Sequence, residues 1–226
     1  MAHQHVLTID GPAASGKSST AQWVARTLGW RHVDSGSLYR AATHARLAAP
    51  GAPDTWTEGS VLAAATGIGL TPVDGSFVPT LSGAALSDEI RSLAVTGEVS
   101  RVAQMSGVRQ WVNRVVQQAA SGHDVVVDGR DMGTVVFPDA MLKVWLVADP
   151  WERARRRLTQ RLGRRPIEEE IAEETDVLVQ RDAKDATQTV QAKDAVLLDT
   201  TYLTQQEQVE RIVALAHAVS HRPTVT

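Results

Sequence analysis

The chain contains no cysteine, only 4% aromatic residues, and no uninterrupted apolar run longer than five residues. The first absence excludes disulfides and thiolate metal sites and is compatible with a reducing compartment. The last excludes a helical membrane span, and the opening MAHQH lacks the basic-then-apolar order of a secretory signal, so a cytoplasmic protein with no membrane partner is expected. An excess of positive charge is missing too. With 23 Lys and Arg against 26 Asp and Glu, a net charge of −3 and a sequence pI near 6.2, the chain has no overall attraction to nucleic acid. The pairs His3/His5 and His217/His221 each offer two ligands where zinc takes three or four. No internal repeat, low-complexity tract or association motif stands out, and a monomer is expected.

What is present is 226 residues, 43% of them hydrophobic, enough for one domain with a core but short for two. HVLTID at 5–10 reads as a short buried strand, followed by GPAASGKS and an amphipathic helix to Leu28. RHVD at 31–34 reads as a second strand, and GSLYRAATHARLAA as a helix ended by Pro50, Gly51 and Pro53. From Thr57 to Met105 turn residues interrupt any sustained period; a small helix, a hairpin turning at Asp74-Gly75 and two short helices read as an insertion. A helix near 107–121 and strands at 124–129 and 141–148 follow. Asp149, Pro150 and Glu152 then open a helix to Leu162, and the glutamates after Pro166 open another. A strand at 195–199 and a helix at 204–220 complete the pattern. Strands alternating with helices predict an α/β fold whose parallel sheet is covered on both faces. Trp23, Trp30, Trp111, Trp145 and Trp151 fall in these elements or at their ends and are expected to pack.

Gly11, Gly16, Lys17 and Ser18 fit G-x-x-x-x-G-K-[ST], in which successive backbone N–H groups wrap a polyphosphate. The loop Gly11, Pro12, Ala13, Ala14, Ser15, Gly16, Lys17, Ser18 and Ser19 is therefore the expected ATP cradle. Lys17 would neutralise the β- and γ-phosphates, Ser18 would reach Mg²⁺, and the following helix adds its dipole. Such a loop leaves switch, motor and kinase open. No D-x-x-G and no N-K-x-D is present, which removes the guanine-specific switch. Length argues against a motor and acidity against a nucleic-acid enzyme, leaving small-molecule kinases.

DSGSLYR at 34–40, SRVAQMSGVR at 100–109 and DGRDMGTVVFPDA at 128–140 resemble the bacterial cytidylate kinase family, in order and at fitting spacing. The resemblance covers nearly the whole chain, and its longest segment is very specific. It implies a P-loop kinase fold with a five-stranded parallel sheet flanked by helices. The core would be 1–37, 106–162 and 189–226, with an acceptor-binding insertion at about 38–105 and a lid at about 163–188. The implied reaction is phosphorylation of CMP and dCMP by ATP with Mg²⁺. Rivals are a kinase of UMP, shikimate or a coenzyme precursor, and a regulatory protein that holds nucleotide without turnover.

Phosphoryl transfer between two anions needs fixed cations, and arginine's planar fork never deprotonates. By resemblance Arg40 and Arg130 hold the acceptor phosphate, Arg109 lies at the acceptor nucleotide, and Ser35, Tyr39 and Ser100 belong to the same site. A helix N-cap is the rival role for Ser100. Asp131 suits base choice, because a carboxylate accepts from the exocyclic amino group of cytosine where uracil presents an oxygen. Asp128 would join the magnesium and water network. Arg181 and Asp185 match the family's R-D-x-x-D, with Arg181 on phosphate and Asp185 on ribose or another arginine; Lys17, Arg130 and Arg181 form the expected catalytic set. The run Arg153, Arg155, Arg156, Arg157 is expected to be mostly solvated, with Arg157 against the adenine of ATP. One departure stands out: Gln188 replaces a common family arginine, with Lys184 or Lys193 as candidate substitutes.

Overall fold

The computed structural model describes residues 4–220. β1 (Val6–Asp10) runs through the glycine-rich loop into α1 (Lys17–Leu28), and β2 (Arg31–Asp34) into α2 (Ser35–Leu47). Next come α3 (Glu58–Ala64), β3 (Ile68–Val73), β4 (Ser76–Leu81), the two-residue β5 (Ala84–Ala85) and α4 (Leu93–Val102). Then come α5 (Ser106–Ala120), β6 (Val125–Gly129), a π-helical turn at Met132–Val136, and β7 (Leu142–Val147). α6 (Pro150–Leu162), α7 (Glu168–Asp185), β8 (Val196–Asp199) and α8 (Gln205–Ser220) complete the described chain.

The helix starts follow local chemistry. Asp149 Oδ1 accepts from the N–H groups of Trp151 and Glu152 at 2.9 and 3.3 Å, with Pro150 at the first helical position. Glu170 accepts from Ile167 N–H at 3.0 Å to begin α7. α5 has no capping side chain of its own, and Glu58 of α3 supplies one, accepting from Gly107 N–H at 2.6 Å. The β3–β4 hairpin turns at Asp74 and Gly75, both with positive φ (43° and 79°), the geometry of a type I′ turn.

Five strands form a parallel core in the order β2-β6-β1-β7-β8. The sheet is larger than that core: β4 pairs parallel with β2 and carries β3 and β5, giving eight strands. Residues 68–85 thus extend the core sheet. Val125, Val126 and Val127 of β6 are fully buried, as a central strand requires, and each contributes about 1.5–3 kcal/mol by leaving water. One apolar cluster packs the α2 and α5 face of the sheet and another the α1 and α8 face. A third, small cluster joins Leu158 of α6 and Ile171 and Leu178 of α7 to Ala13 of the loop. Trp23 and Trp151 depart from the expected packing at 39% and 40% exposure, because each lies on the outer face of its helix.

The chain leaves β1 over β6 toward β2, whereas it leaves β6 over β1 toward β7. That reversal opens a crevice at the carboxyl edge between β1 and β6, where ligands of such sheets bind. Register brings Asp10 level with Gly129, and Asp34 with Asp128, along this edge.

Candidate active site

Gly11 leaves β1 with φ 152°, and a Cβ there would lie 2.1 Å from the carbonyl oxygen of Leu146 in β7. Only glycine lets the loop pass so close. Ala14 and Gly16 are also left-handed, and α1 begins with no side-chain cap and no acidic residue in its first turn. Its N–H groups and dipole are left for an anion. Lys17 folds back over the loop, its Nζ donating to Pro12 O at 2.6 Å and lying 3.4 Å from Ser15 Oγ. Burial, followed by the charge of Arg130, presses its pKa well below the usual lysine value. Ser19 is exposed and its hydroxyl donates to Gly16 O at 3.0 Å.

Asp128, at the end of β6, is the hub beside the loop. Its Oδ2 accepts from Ser18 Oγ at 2.5 Å, its Oδ1 lies 2.7 Å from His32 Nε2, and its backbone carbonyl accepts from Ser35 Oγ at 2.7 Å. A Cβ at Gly129 would meet Ser35 Oγ at 2.6 Å, which is why glycine follows this aspartate. His32 is absent from the residues expected above. A signal existed: in a strand His32 and Asp34 share one face, so a polar residue was aimed at the same side as the helix-capping Asp34. Burial opposes protonation of His32, but the hydrogen bond and charge of Asp128, with the charge of Asp34, prevail and raise its pKa.

Asp10 was likewise not singled out. Its two oxygens accept from the N–H groups of Met132 and Gly133 at 2.9 and 2.8 Å, pinning the π-helical turn that Phe137 N–H closes onto Met132 O. Burial pushes this carboxyl up to about 6. Arg130 and Asp131 are thereby held between the end of β6 and a fixed turn.

Asp185, near the end of α7, places Oδ2 3.6 Å from Arg130 Nε and 3.8 Å from Arg181 Nε, too long for hydrogen bonds. Both Nε atoms are buried without an acceptor among the described residues. Burial and the charges of Arg130, Arg40 and Arg157 bring Arg181 down to about 10 against the single opposing charge of Asp185. Arg40 is lowered by burial and by Arg91, Arg157 and Arg130, with Asp34 opposing. Arg40, Arg130, Arg157 and Arg181 therefore share one region with too few carboxylates, and Lys17 feels both Arg130 and Arg181. Arg40 Nη1 donates to Thr96 of α4 at 3.2 Å. Ser100 lies one turn further along the same face, half-buried in the last turn of α4, so it is not an N-cap.

A second group adjoins the first. Arg109 Nη2 pairs with Asp131 Oδ2, while Nη1 donates to Ala103 O at 3.2 Å and Gln188 Oε1 at 3.1 Å. Burial raises Asp131 more than Arg109 lowers it. The buried Tyr39 hydroxyl has no hydrogen-bond partner among the described residues, and burial takes its pKa up to about 12 in the field of Arg109 and Asp131.

The arginine run of α6 is not the solvated surface expected of it. Arg153 is buried, its Nε donating to Ala148 O at 3.1 Å and its Nη1 to Ala13 O at 2.7 Å and Asp182 Oδ2 at 2.6 Å. Arg156 Nη2 donates to Thr200 O and Thr201 O at 2.6 and 2.8 Å, and Arg157 pairs with Glu174 of α7 at 3.1 Å. Only Arg155 remains at the surface, against Glu152. The α6 residue that touches the phosphate loop is thus Arg153. Lys184 and Lys193 are both exposed.

The cytidylate kinase family matches residues 7–218 of this sequence. The chain belongs to that family. It is 42% identical to the cytidylate kinase of Bordetella bronchiseptica over 92% of this chain and 93% of that one. Identity to the Thermus thermophilus enzyme is 41%, covering 92% and 97%, and to that of Alkaliphilus oremlandii 36%, covering 94% and 98%. A solved, uncharacterized protein from Eubacterium ventriosum shares the fold, with a TM-score of 0.53 at 9% identity over 97% of this chain and 100% of its own. The cytidylate kinase resemblance read from residues 34–40, 100–109 and 128–140 thus extends to the full family match.

Proposed function

We infer that the chain transfers the γ-phosphoryl group of ATP to CMP and dCMP, giving CDP and dCDP. The observation that carries this is geometric: the uncapped start of α1 adjoins two arginines, Arg130 and Arg181, whose buried Nε atoms lack an acceptor among the described residues. Ser18 bonds Asp128, two residues before Arg130, and Ala13 bonds Asp182, next to Arg181. Arg130 and Arg181 share the single carboxylate of Asp185, and an acceptor phosphate supplies the missing negative charge. The acceptor oxygen is already ionised at neutral pH, so positioning and charge stabilisation dominate over base catalysis.

Lys17 and the loop amides take the donor phosphates; Arg40, Arg130 and Arg181 take the acceptor phosphate and the oxygens in transfer. Asp131, oriented by Arg109, accepts from the cytosine amino group. Tyr39 and Ser100 border the acceptor, and Ser35 shapes the turn through its bond to Asp128. Asp185 spaces Arg130 from Arg181. Arg157, paired with Glu174 of α7, keeps its proposed place against the adenine of ATP. Residues 163–188 form a lid that excludes water from the transfer.

Mg²⁺ fits the oxygens of Ser18 and Asp128, which are hard donors. Among the described residues no three or more His, Asp or Glu side chains group to hold a metal ion. When bound, Mg²⁺ neutralises charge on the phosphate oxygens. No described helix is long and apolar enough to cross a membrane, and a cytoplasmic monomer without nucleic-acid partners is proposed.

A coupled ADP-release assay with CMP, dCMP, UMP, AMP, GMP and shikimate tests the reading. CMP and dCMP should be the best acceptors. A tenfold preference for UMP would defeat the assignment of Asp131, and ATP binding without acceptor-dependent turnover would favour a regulatory protein.

A further inference from the structure

Gln188 lies just beyond α7, where its N–H donates to Asp185 O at 2.9 Å and Thr189 Oγ1 bonds the same carbonyl at 2.9 Å. This short turn reaches both parts of the acceptor site. At one end the Asp185 carboxylate lies between Arg130 and Arg181. At the other, Gln188 Oε1 accepts from Arg109 Nη1, and the opposite arm of that guanidinium pairs with Asp131. The geometry points to Gln188 as a positioning residue that ties the end of α7 to the Arg109–Asp131 pair and so couples lid placement to recognition of the acceptor base.

A guanidinium has donors in a rigid fork, so anchoring one arm fixes the plane in which the other meets its carboxylate. Arg109 has two neutral anchors, Ala103 O and Gln188 Oε1, and one charged partner. A neutral acceptor at 188 orients Arg109 without adding a second carboxylate that would compete with Asp131. A cation at 188 would face the Arg109 guanidinium directly. Gln188 and Arg109 are 79 residues apart in sequence, so this contact exists only while the end of α7 is docked on the insertion side of the site. Gln104 Nε2, donating to Lys184 O at 3.4 Å, marks the same docking.

The inference rests on Asp131 reading the base, and the experiment separates the two. Steady-state KM and kcat for CMP and for UMP, and KM for ATP, are measured for the wild type, Gln188→Met, Gln188→Glu and Asp131→Asn, with thermal midpoints for each. Gln188→Met keeps the shape and removes the acceptor; loss of a hydrogen bond to a charged group should raise KM for CMP about tenfold and narrow the CMP-over-UMP preference. KM for ATP and the thermal midpoint should stay near wild type. Gln188→Glu retains an accepting oxygen but adds a carboxylate that competes with Asp131 for Arg109, so KM for CMP should fall between wild type and Gln188→Met while the CMP-over-UMP preference stays narrowed. Unchanged CMP selectivity in Gln188→Met, beside a narrowed selectivity in Asp131→Asn, would overturn the role of Gln188 while leaving base reading intact. Unchanged selectivity in Asp131→Asn would overturn both. Equal losses for CMP, UMP and ATP with a lowered midpoint would make Gln188 a purely structural residue and also overturn the proposal.

Discussion

His32 Nε2 lies 2.7 Å from Asp128 Oδ1, and both side chains are almost entirely buried. The pair sets which oxygen of Asp128 faces Ser18. Removing one partner of a buried pair leaves an uncompensated charge, so His32→Leu should cost about 3 kcal/mol in chemical denaturation. His32→Gln, which keeps a donor, should lose less. Because the folded pKa of His32 lies above 6.5, its stabilisation is complete below pH 6.5 and declines as pH rises through the folded value. The stability margin of wild type over His32→Leu should shrink on the alkaline side; a pH-independent margin would contradict this.

Asp10 has the opposite balance, since burial rather than a cation dominates it. A carboxyl raised from 3.8 to about 6 binds a proton more readily when folded, so folding is favoured by acid and weakened as pH rises through that interval. The shift corresponds to about 3 kcal/mol. Urea denaturation of wild type and Asp10→Asn between pH 4 and pH 7 should show wild type losing stability relative to the variant up to about pH 6 and no further.

Lys17→Ala should reduce kcat with every acceptor by at least about a hundredfold, because the lost charge acts on the donor phosphates common to all of them. Its thermal midpoint should hold or rise, since a buried cation is removed. A loss confined to one acceptor would place Lys17 on the wrong nucleotide.

Asp182 links α7 to the phosphate loop, accepting from Ala13 N–H at 2.9 Å and from Arg153 at 2.6 Å. Asp182→Ala removes charge-assisted hydrogen bonds, and amide exchange at Ala13 and along α7 should accelerate about tenfold or more. Exchange at Val125–Val127 in the sheet should stay unchanged. Equal acceleration in both regions would mean global destabilisation instead.

Much of this protein follows from contiguous stretches of sequence. The phosphate loop, the strand and helix order, the Asp74-Gly75 hairpin and the Asp149 cap are decided by backbone conformations and hydrogen bonds among near neighbours, which short segments carry in themselves. The acceptor arginines were proposed from the family motifs that carry them, not from the chemistry of arginine alone. What faces what was not. That Arg153 touches the loop, that His32 holds Asp128, that Gln188 reaches Arg109, and that β4 continues the core sheet all depend on parallel crossovers bringing distant residues together. Charge pairing and burial follow distance through space, and only the folded chain sets those distances.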